Sequence, residues 1–283
     1  MIVLYAFIGL IIGGVIARLA DVLTRSQPRL GVNAAGRPAA GDAAPPALIA
    51  AAVRDLKRFV DFLGRRECAA CGQPRSLIQS IAVVALLTRR RQCTACGRPI
   101  ATRDVVVELT TAGLFAVLFA HYTDILLLGL ASFHTSVLLL VTVTDLEHRL
   151  IPNRASLPAI VIAAVTSPVW FGPGWYLAFI GGAIGFGFFW LAAIVGGRFI
   201  GRGAMGGGDV KLAAYIGLLT GFPGIITALV LTILAGGLIS LTLLAVRVVN
   251  LRSGIPYGPF IVLGGFITML WGQQIMTRFF FGA

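Results

Sequence analysis

The chain has 283 residues, of which 58% are hydrophobic and only 12% are charged, and its mean hydropathy is +0.92. These fractions lie far from those of a soluble domain and place most of the chain in a lipid bilayer. The net charge of +12 does not indicate a partner nucleic acid, because that would require the basic residues to form one surface of a soluble fold.

Apolar runs long enough to cross about 30 Å of hydrocarbon recur along the chain. The first covers residues 2–23, and because no basic segment precedes it, we interpret it as a membrane anchor and not as a cleaved signal peptide. Seven further runs follow a long polar stretch and cover residues 105–121, 124–144, 155–171, 175–197, 210–221, 223–246 and 257–280. The sequence therefore predicts an all-α polytopic membrane protein with about eight transmembrane helices. Its predicted parts are a first helix at 1–23, a loop domain at 24–104 and a seven-helix core at 105–283.

Positive charge concentrates in every second connection between the predicted spans. Of the 23 Lys and Arg residues, 14 lie within 24–104, and most of the others lie in the connections at 149–154, 198–211 and 247–252. Short loops rich in Lys and Arg face the cytoplasm. This rule places these connections in the cytoplasm and both termini outside, in the inner membrane. The basic face is expected to lie against anionic lipid.

The four cysteines form two Cys-x-x-Cys pairs in the loop between the first two spans, Cys68 with Cys71 and Cys93 with Cys96. A glycine follows each pair, and two such turns let four thiolates converge tetrahedrally on one ion. The alternative is a pair of disulfides or reactive thiols, which the reducing cytoplasm disfavours. The pattern predicts a structural zinc site with no open position for catalysis.

The rest of the loop has two other kinds of composition. Residues 26–46 are rich in Gly, Ala, Pro and Arg without an apolar period, which predicts a disordered linker. Residues 47–63 carry spaced Leu and Val among Arg and Lys, which is typical of an amphipathic helix on a membrane surface. A shorter, partly buried segment is predicted over 77–87.

Acidic residues are scarce in and beside the predicted spans. Because a charge is costly in a membrane, each of them is a candidate functional residue. They are Asp21, Glu108, Asp124, Asp145, Glu147 and Asp209. Asp145 ends the third span and Asp209 begins the sixth, so both are predicted at the cytoplasmic face. Two adjacent carboxylates that share one proton can activate water, as in an aspartic peptidase. The structural alternative is that Asp209 caps a helix and Asp145 pairs with Arg149.

Two strings around these aspartates resemble the catalytic motifs of the prepilin peptidases, or type IV leader peptidases. The string from Asp145 to Asn153, with Ile-Pro-Asn at its end, resembles the first motif. The string from Gly206 to Leu212, Gly-x-Gly-Asp-x-Lys-Leu, resembles the second. Residues 256–260 resemble a Pro-Phe-Gly-Pro-Phe string of the family, with Tyr in place of the first Phe. The cysteine loop resembles that of the larger bacterial members.

The resemblance implies an aspartic endopeptidase whose catalytic pair is Asp145 and Asp209. It would remove the short basic leader from type IV prepilins and related pseudopilins, after a glycine, at the cytoplasmic face of the membrane. The motif residues expected to support the active site are Pro152, Asn153, Gly206, Gly207, Gly208 and Lys211.

Many members of the family also methylate the new amino terminus with S-adenosylmethionine. This chain departs from the family strings at 13–20 and 76–81 and carries an unfamiliar insertion at 24–66. S-adenosylmethionine is therefore expected as a cofactor only if the second activity is retained.

Three other functions fit parts of the pattern. A presenilin-like intramembrane protease shares the Gly-x-Gly-Asp string. An ion-coupled transporter would use the membrane carboxylates to carry ions, although no internal repeat is evident. A catalytically silent scaffold of a pilus or secretion assembly would need only the helices and the cysteine loop.

Overall fold

The computed structural model describes residues 1–25, 71, 73, 81–88, 92–93, 95–99, 101–199, 206–247 and 256–280. These residues are helical except for turns, connections and an isolated antiparallel bridge between Gln92 and Pro99. The predicted all-α class is therefore confirmed. The linker predicted at 26–46 and the amphipathic helix predicted at 47–63 lie outside the described residues.

The chain divides into two compact units, Met1–Ala116 and Val117–Ala283, with the boundary inside one helix. The first unit contains α1 (Ile2–Arg25), α2 (Ala82–Leu87) and most of α3 (Thr102–His121). The second contains α4 (Ile125–His148), α5 (Asn153–Val165), α6 (Ser167–Phe171), α7 (Tyr176–Phe199), α8 (Gly207–Thr220), α9 (Gly224–Ala245) and α10 (Gly258–Phe280).

Six of the described helices are long and apolar enough to cross a membrane, namely α1, α3, α4, α7, α9 and α10. α5 and α6 form a pair bent by 49°, which would be a seventh span if it crosses as one. α8 occupies the predicted span at 210–221, but its 14 residues rise only about 21 Å, less than the hydrocarbon thickness. The multi-pass architecture is confirmed, whereas the count of eight and the divisions at residues 23 and 104 stay predictions.

Two glycines on α1 allow its close approach to α3. A Cβ at Gly9 would lie 2.8 Å from the Cβ of Phe115, and one at Gly13 would lie 2.7 Å from the Cα of Glu108. The ring of Tyr5 stacks on Phe115 with centroids 5.5 Å apart. Small residues at such crossings are typical of membrane helix pairs. Since lipid is as apolar as the helices, no hydrophobic force drives them together, and the attraction comes from close van der Waals packing.

Glu108 is only 1% exposed on α3, and its carboxylate has a structural role. Oε1 accepts a hydrogen bond from the backbone N–H of Ala82 at 2.7 Å, and Oε2 accepts one from Val83 at 2.8 Å. These N–H groups open α2 and have no partner within that helix. Glu108 therefore holds α2 against α3.

Two more of the scarce acids have structural partners. The carboxylate of Asp21 pairs with Nη1 of Arg103 at 2.6 Å. Oδ1 of Asp124 accepts the N–H groups of Leu126 and Leu127, both at 2.9 Å, and so caps the start of α4. Of the acids singled out from the sequence, Asp145, Glu147 and Asp209 remain.

The second unit is built around α8, which contacts α5, α7, α9 and α10. A Cβ at Gly181 or Gly185 of α7 would overlap the backbone carbonyls of Gly217 and Ala213 on α8, so these glycines permit the close packing of the two helices. Most of α8 is buried, and Tyr215 is 0% exposed. The short helix is thus enclosed by protein, and its first turn is held at a fixed position.

A buried hydrogen bond joins α4 to α8. Nδ1 of His134 and the hydroxyl of Tyr215 lie 2.6 Å apart, and both residues are 0% exposed. A polar pair inside an apolar core must be matched, because an unpaired group there is costly. The bond therefore fixes the register of the two helices that carry Asp145 and Asp209.

Candidate active site

Asp145 lies in the last full turn of α4 and is 5% exposed. Arg149, the C-cap of α4, adopts a left-handed conformation (φ 54°) and donates its N–H to the carbonyl of Asp145. Oδ2 of Asp145 accepts a hydrogen bond from the backbone N–H of Gly258 at 3.0 Å. The first turn of α10 therefore orients this carboxylate.

Asp209 is the third residue of α8, and Gly206 is the N-cap. Its backbone N–H donates to the carbonyl of Gly206 at 3.1 Å, and its carboxylate interacts with the backbone N–H of the same glycine. This is the arrangement of an acidic residue at the third position of a helix. The structural alternative, in which Asp209 itself is the N-cap, is wrong.

The fold brings Asp145 and Asp209 close enough for their charges to interact, although 64 residues separate them in sequence. Asp209 lies outside the six candidate spans, and burial together with the charge of Asp145 raises the pKa of its carboxyl to about 6. Two carboxylates in this relation favour a state with a single shared proton. Such a pair can act as acid and base together.

The Ile-Pro-Asn string packs against the start of α8. A Cβ at Gly208 would lie 3.0 Å from the Cβ of Ile151, so the absence of a side chain permits this approach. Nζ of Lys211 donates a hydrogen bond to Oδ1 of Asn153 at 3.1 Å. These two contacts join the segment after Asp145 to the helix that begins with Asp209.

The other expected supporting residues have different positions. Pro152 is the N-cap of α5, and its carbonyl accepts the N–H of Ser156 at 3.0 Å. Gly206 lies against Asp209, whereas a Cβ at Gly207 would meet no atom within 4 Å. Packing thus gives a reason for a glycine at position 208 but not at 207, and at 206 a Cβ would make only an ordinary contact, 3.5 Å from Oδ2 of Asp209.

Gly258 belongs to the string at 256–260 that resembles a family motif, but it was not among the residues predicted to form the site. Its N–H binds Asp145, and a Cβ there would lie 2.5 Å from Oδ2 of that residue. The available signal was a glycine at the start of an apolar run where no turn requires one, which is typical of a close approach to the backbone.

Three of the four cysteines lie together. The Sγ atoms of Cys71, Cys93 and Cys96 are all within 4.8 Å of one another, and those of Cys71 and Cys93 are 3.8 Å apart. Four sulfurs at about 2.3 Å from a tetrahedral zinc ion would be roughly 3.8 Å apart, so the described thiols fit such a site. Gly97 adopts φ 69° in the turn that follows the second pair. Cys68 lies outside the described residues.

We expect the purified protein to contain about one zinc ion per chain. Cys93→Ser should lose most of this zinc, because it removes the one buried thiolate among the described three. Elemental analysis by mass spectrometry measures the ratio, and Asp209→Asn is the matched control that should retain the metal. Zinc-free wild-type protein, or full zinc content in Cys93→Ser, would contradict the site.

Comparison with known proteins matches both parts of the chain. The type IV leader peptidase family matches residues 132–241, and the bacterial peptidase A24 N-terminal domain matches residues 7–122. No solved structure gave a significant match.

Three relatives are each called prepilin leader peptidase/N-methyltransferase. The Bacillus subtilis protein is 32% identical over 216 residues, which are 75% of this chain and 84% of the relative. The Dichelobacter nodosus protein is 31% identical over 225 residues, 79% and 77% of the two chains. The Pseudomonas putida protein is 28% identical over 284 residues, 97% and 92% of the two chains.

Proposed function

The chain belongs to the type IV leader peptidase family as a multi-pass membrane prepilin peptidase, and from this premise we propose that Asp145 and Asp209 are its catalytic pair. The observation that carries the proposal is that the charge of Asp145 acts on Asp209 where α4, α8 and α10 meet, with Asp145 bonded to the N–H of Gly258. Both residues lie within the segment that matches the peptidase family.

The two carboxylates have different partners, and this difference assigns their roles. Gly258 and Gly206 each direct a backbone N–H at one carboxylate, but Arg149 also stabilises the charge of Asp145, whereas burial and the charge of Asp145 raise the pKa of Asp209 to about 6. Asp145 is therefore the base, and Asp209 holds the shared proton. Asp145 accepts a proton from water as the water oxygen bonds to the scissile carbonyl carbon, and Asp209 donates its proton to the carbonyl oxygen. When the C–N bond breaks, the proton on Asp145 moves to the leaving amine and the proton on the oxygen returns to Asp209.

The substrate class follows from the family, and its finer points are part of the proposal. The enzyme cuts type IV prepilins or pseudopilins after a glycine, at the cytoplasmic face of the inner membrane. Support for an interfacial site comes from Glu147, His148 and Arg149, which lie within four residues after the buried Asp145 and are exposed. Exposed charged residues are costly inside the hydrocarbon, so this end of α4 is expected at the membrane surface, where the basic loops would meet anionic lipid.

The cysteine loop and the second activity of the relatives also bear on this chain. We propose that Cys68 completes the thiolate set of Cys71, Cys93 and Cys96 around a structural zinc ion. The relatives' names include an N-methyltransferase, for which S-adenosylmethionine would be the methyl donor. Because residues 13–20 and 76–81 depart from the family strings, cleavage without methylation is the activity proposed here.

The purified protein in detergent, incubated with a full-length prepilin, should release a mature pilin that begins directly after the leader's glycine. Mass spectrometry of the new amino terminus identifies the cleaved bond. Addition of S-adenosylmethionine should leave the product mass unchanged, and a gain of one methyl group would contradict the loss of methylation. Failure to cleave any of several prepilins would contradict the proposed peptidase.

A further inference from the structure

A tyrosine ring is held tightly beside the two aspartates. Tyr257 directly precedes Gly258, and its ring centroid lies 6.0 Å from that of Phe189 and 5.8 Å from that of Phe260. On a third side, a Cβ at Gly236 of α9 would lie 2.9 Å from Cε2 and 3.1 Å from the hydroxyl oxygen. The glycine therefore leaves a space that the ring edge fills, and the ring has little freedom to rotate away.

The first turn of α10, next to this ring, is fastened to α9. The hydroxyl of Thr232 donates to the carbonyl of Ala228 on its own helix at 2.7 Å and shares its proton with the carbonyl of Phe260 at 3.3 Å. A Cβ at Gly264 would lie 2.5 Å from the same hydroxyl, so the two helices are in close contact. Helices in such close contact hold their side chains in fixed positions. Tyr257 is thus presented to the site by a rigid element.

The hydroxyl of Tyr257 has no hydrogen-bond partner among the described residues, although the side chain is half-buried. Two other tyrosine hydroxyls of the same unit have partners: that of Tyr215 bonds to His134, and that of Tyr122 donates to the carbonyl of Met269. The Tyr257 hydroxyl is also not one of the buried polar atoms that lack a partner, so it is accessible from outside the protein. It is therefore a free donor that a bound substrate can reach.

This donor lies within electrostatic range of Asp209. Burial and the charge of Asp209 both raise the pKa of Tyr257, which precedes the span that begins at Gly258. The phenol consequently keeps its proton at neutral pH and can donate a hydrogen bond. Beside a carboxylate pair that attacks a peptide bond, the acceptor that needs such a donor is the carbonyl oxygen on which negative charge develops.

We propose that the hydroxyl of Tyr257 donates a hydrogen bond to the carbonyl oxygen of the peptide bond that is cleaved in the prepilin chain. The inference rests on the proposed function, because it takes Asp145 and Asp209 as the place of cleavage. In this role Tyr257 stabilises the oxygen while Asp209 supplies its proton. A donor aimed at developing charge acts mainly in the transition state.

Tyr257→Phe tests the hydroxyl alone, because the ring and its packing on Phe189 and Phe260 are kept. We expect kcat for prepilin cleavage to fall by about 100-fold, as when one donor to an oxyanion is removed, with little change in KM. The melting temperature in the same detergent should match that of the wild type. Tyr122→Phe, which removes a hydroxyl near the opposite end of α4 from Asp145, is the matched control and should leave kcat unchanged.

Two results would overturn the inference. One is an unchanged kcat in Tyr257→Phe, and the other is a loss of kcat that is accompanied by an equal loss of thermal stability, which would make the hydroxyl structural. Asp145→Asn and Asp209→Asn, assayed beside it, separate the two proposals. If both aspartate variants are inactive while Tyr257→Phe is fully active, only the inference on Tyr257 fails; if the aspartate variants cleave, the proposed function itself fails.

Discussion

Asp145→Asn and Asp209→Asn should each reduce prepilin cleavage by about 1,000-fold or more, because each removes a group that must transfer a proton in the rate-determining chemistry. Asparagine has the shape of aspartate and can still accept the N–H of Gly258, but it neither takes a proton from water nor donates one to the carbonyl oxygen. Single-turnover assays with excess enzyme measure the chemical step directly and reveal residual rates.

Glu147→Gln is the matched control for these variants. Glu147 is an exposed carboxylate two residues after Asp145, so it points to another side of α4. Its replacement should leave the cleavage rate within about twofold of the wild type, since surface substitutions away from a site have small effects. Melting temperature and zinc content should be the same in all three variants. Substantial cleavage by both aspartate variants would rule out the carboxylate mechanism.

The sequence predicts most helices of the second unit correctly, because their apolar runs have the length that a membrane demands. α8 shows the limit of this reasoning. Its bounds were predicted within a few residues, but its apolar character comes from burial among other helices, with Leu212 and Tyr215 both 0% exposed. Composition does not distinguish a side chain that faces lipid from one that faces protein, so an apolar run such as 210–221 predicts a span even where the helix is short and enclosed by protein.

The acidic residues show a second limit. Asp145 and Glu108 are equally unusual in a membrane helix, and the sequence alone makes both functional hypotheses. Glu108 bonds to the N–H groups of Ala82 and Val83, so its role is structural. These partners lie 26 and 25 residues away in sequence. Because they are backbone N–H groups, which every residue type except proline has, no side-chain pattern predicts them.

The meeting of the two aspartates depends on contacts that no local pattern contains. His134 bonds to Tyr215 across α4 and α8, and Ile151 packs against Gly208 where α8 begins. Each contact joins residues that lie more than 50 positions apart. The motif strings, through their resemblance to a family, single out Asp145 and Asp209 as a pair, whereas the proximity of the two residues depends on the fold.

Gly258→Ala should lower the cleavage rate by about 100-fold, even though it adds a single methyl group far from Asp145 in sequence. The new Cβ would lie 2.5 Å from Oδ2 and 3.0 Å from Cγ of Asp145, closer than any stable contact. Because the same residue donates the N–H that holds this carboxylate, the methyl group must displace the acceptor from its own donor. A shift of about 1 Å in a reacting group costs on the order of 100-fold in rate.

Gly129→Ala separates this effect from a general intolerance of added methyl groups. Gly129 lies on α4 with Asp145, and a Cβ there would meet no atom within 4 Å, so full activity is expected. Comparing kcat and melting temperature of the two variants in one detergent tests the argument. If Gly258→Ala cleaves prepilin at the wild-type rate, the N–H of Gly258 is not what orients the catalytic carboxylate, and the assignment of Asp145 as the base loses its support. If its rate falls while its melting temperature stays near that of Gly129→Ala, the position of one carboxylate oxygen controls the reaction.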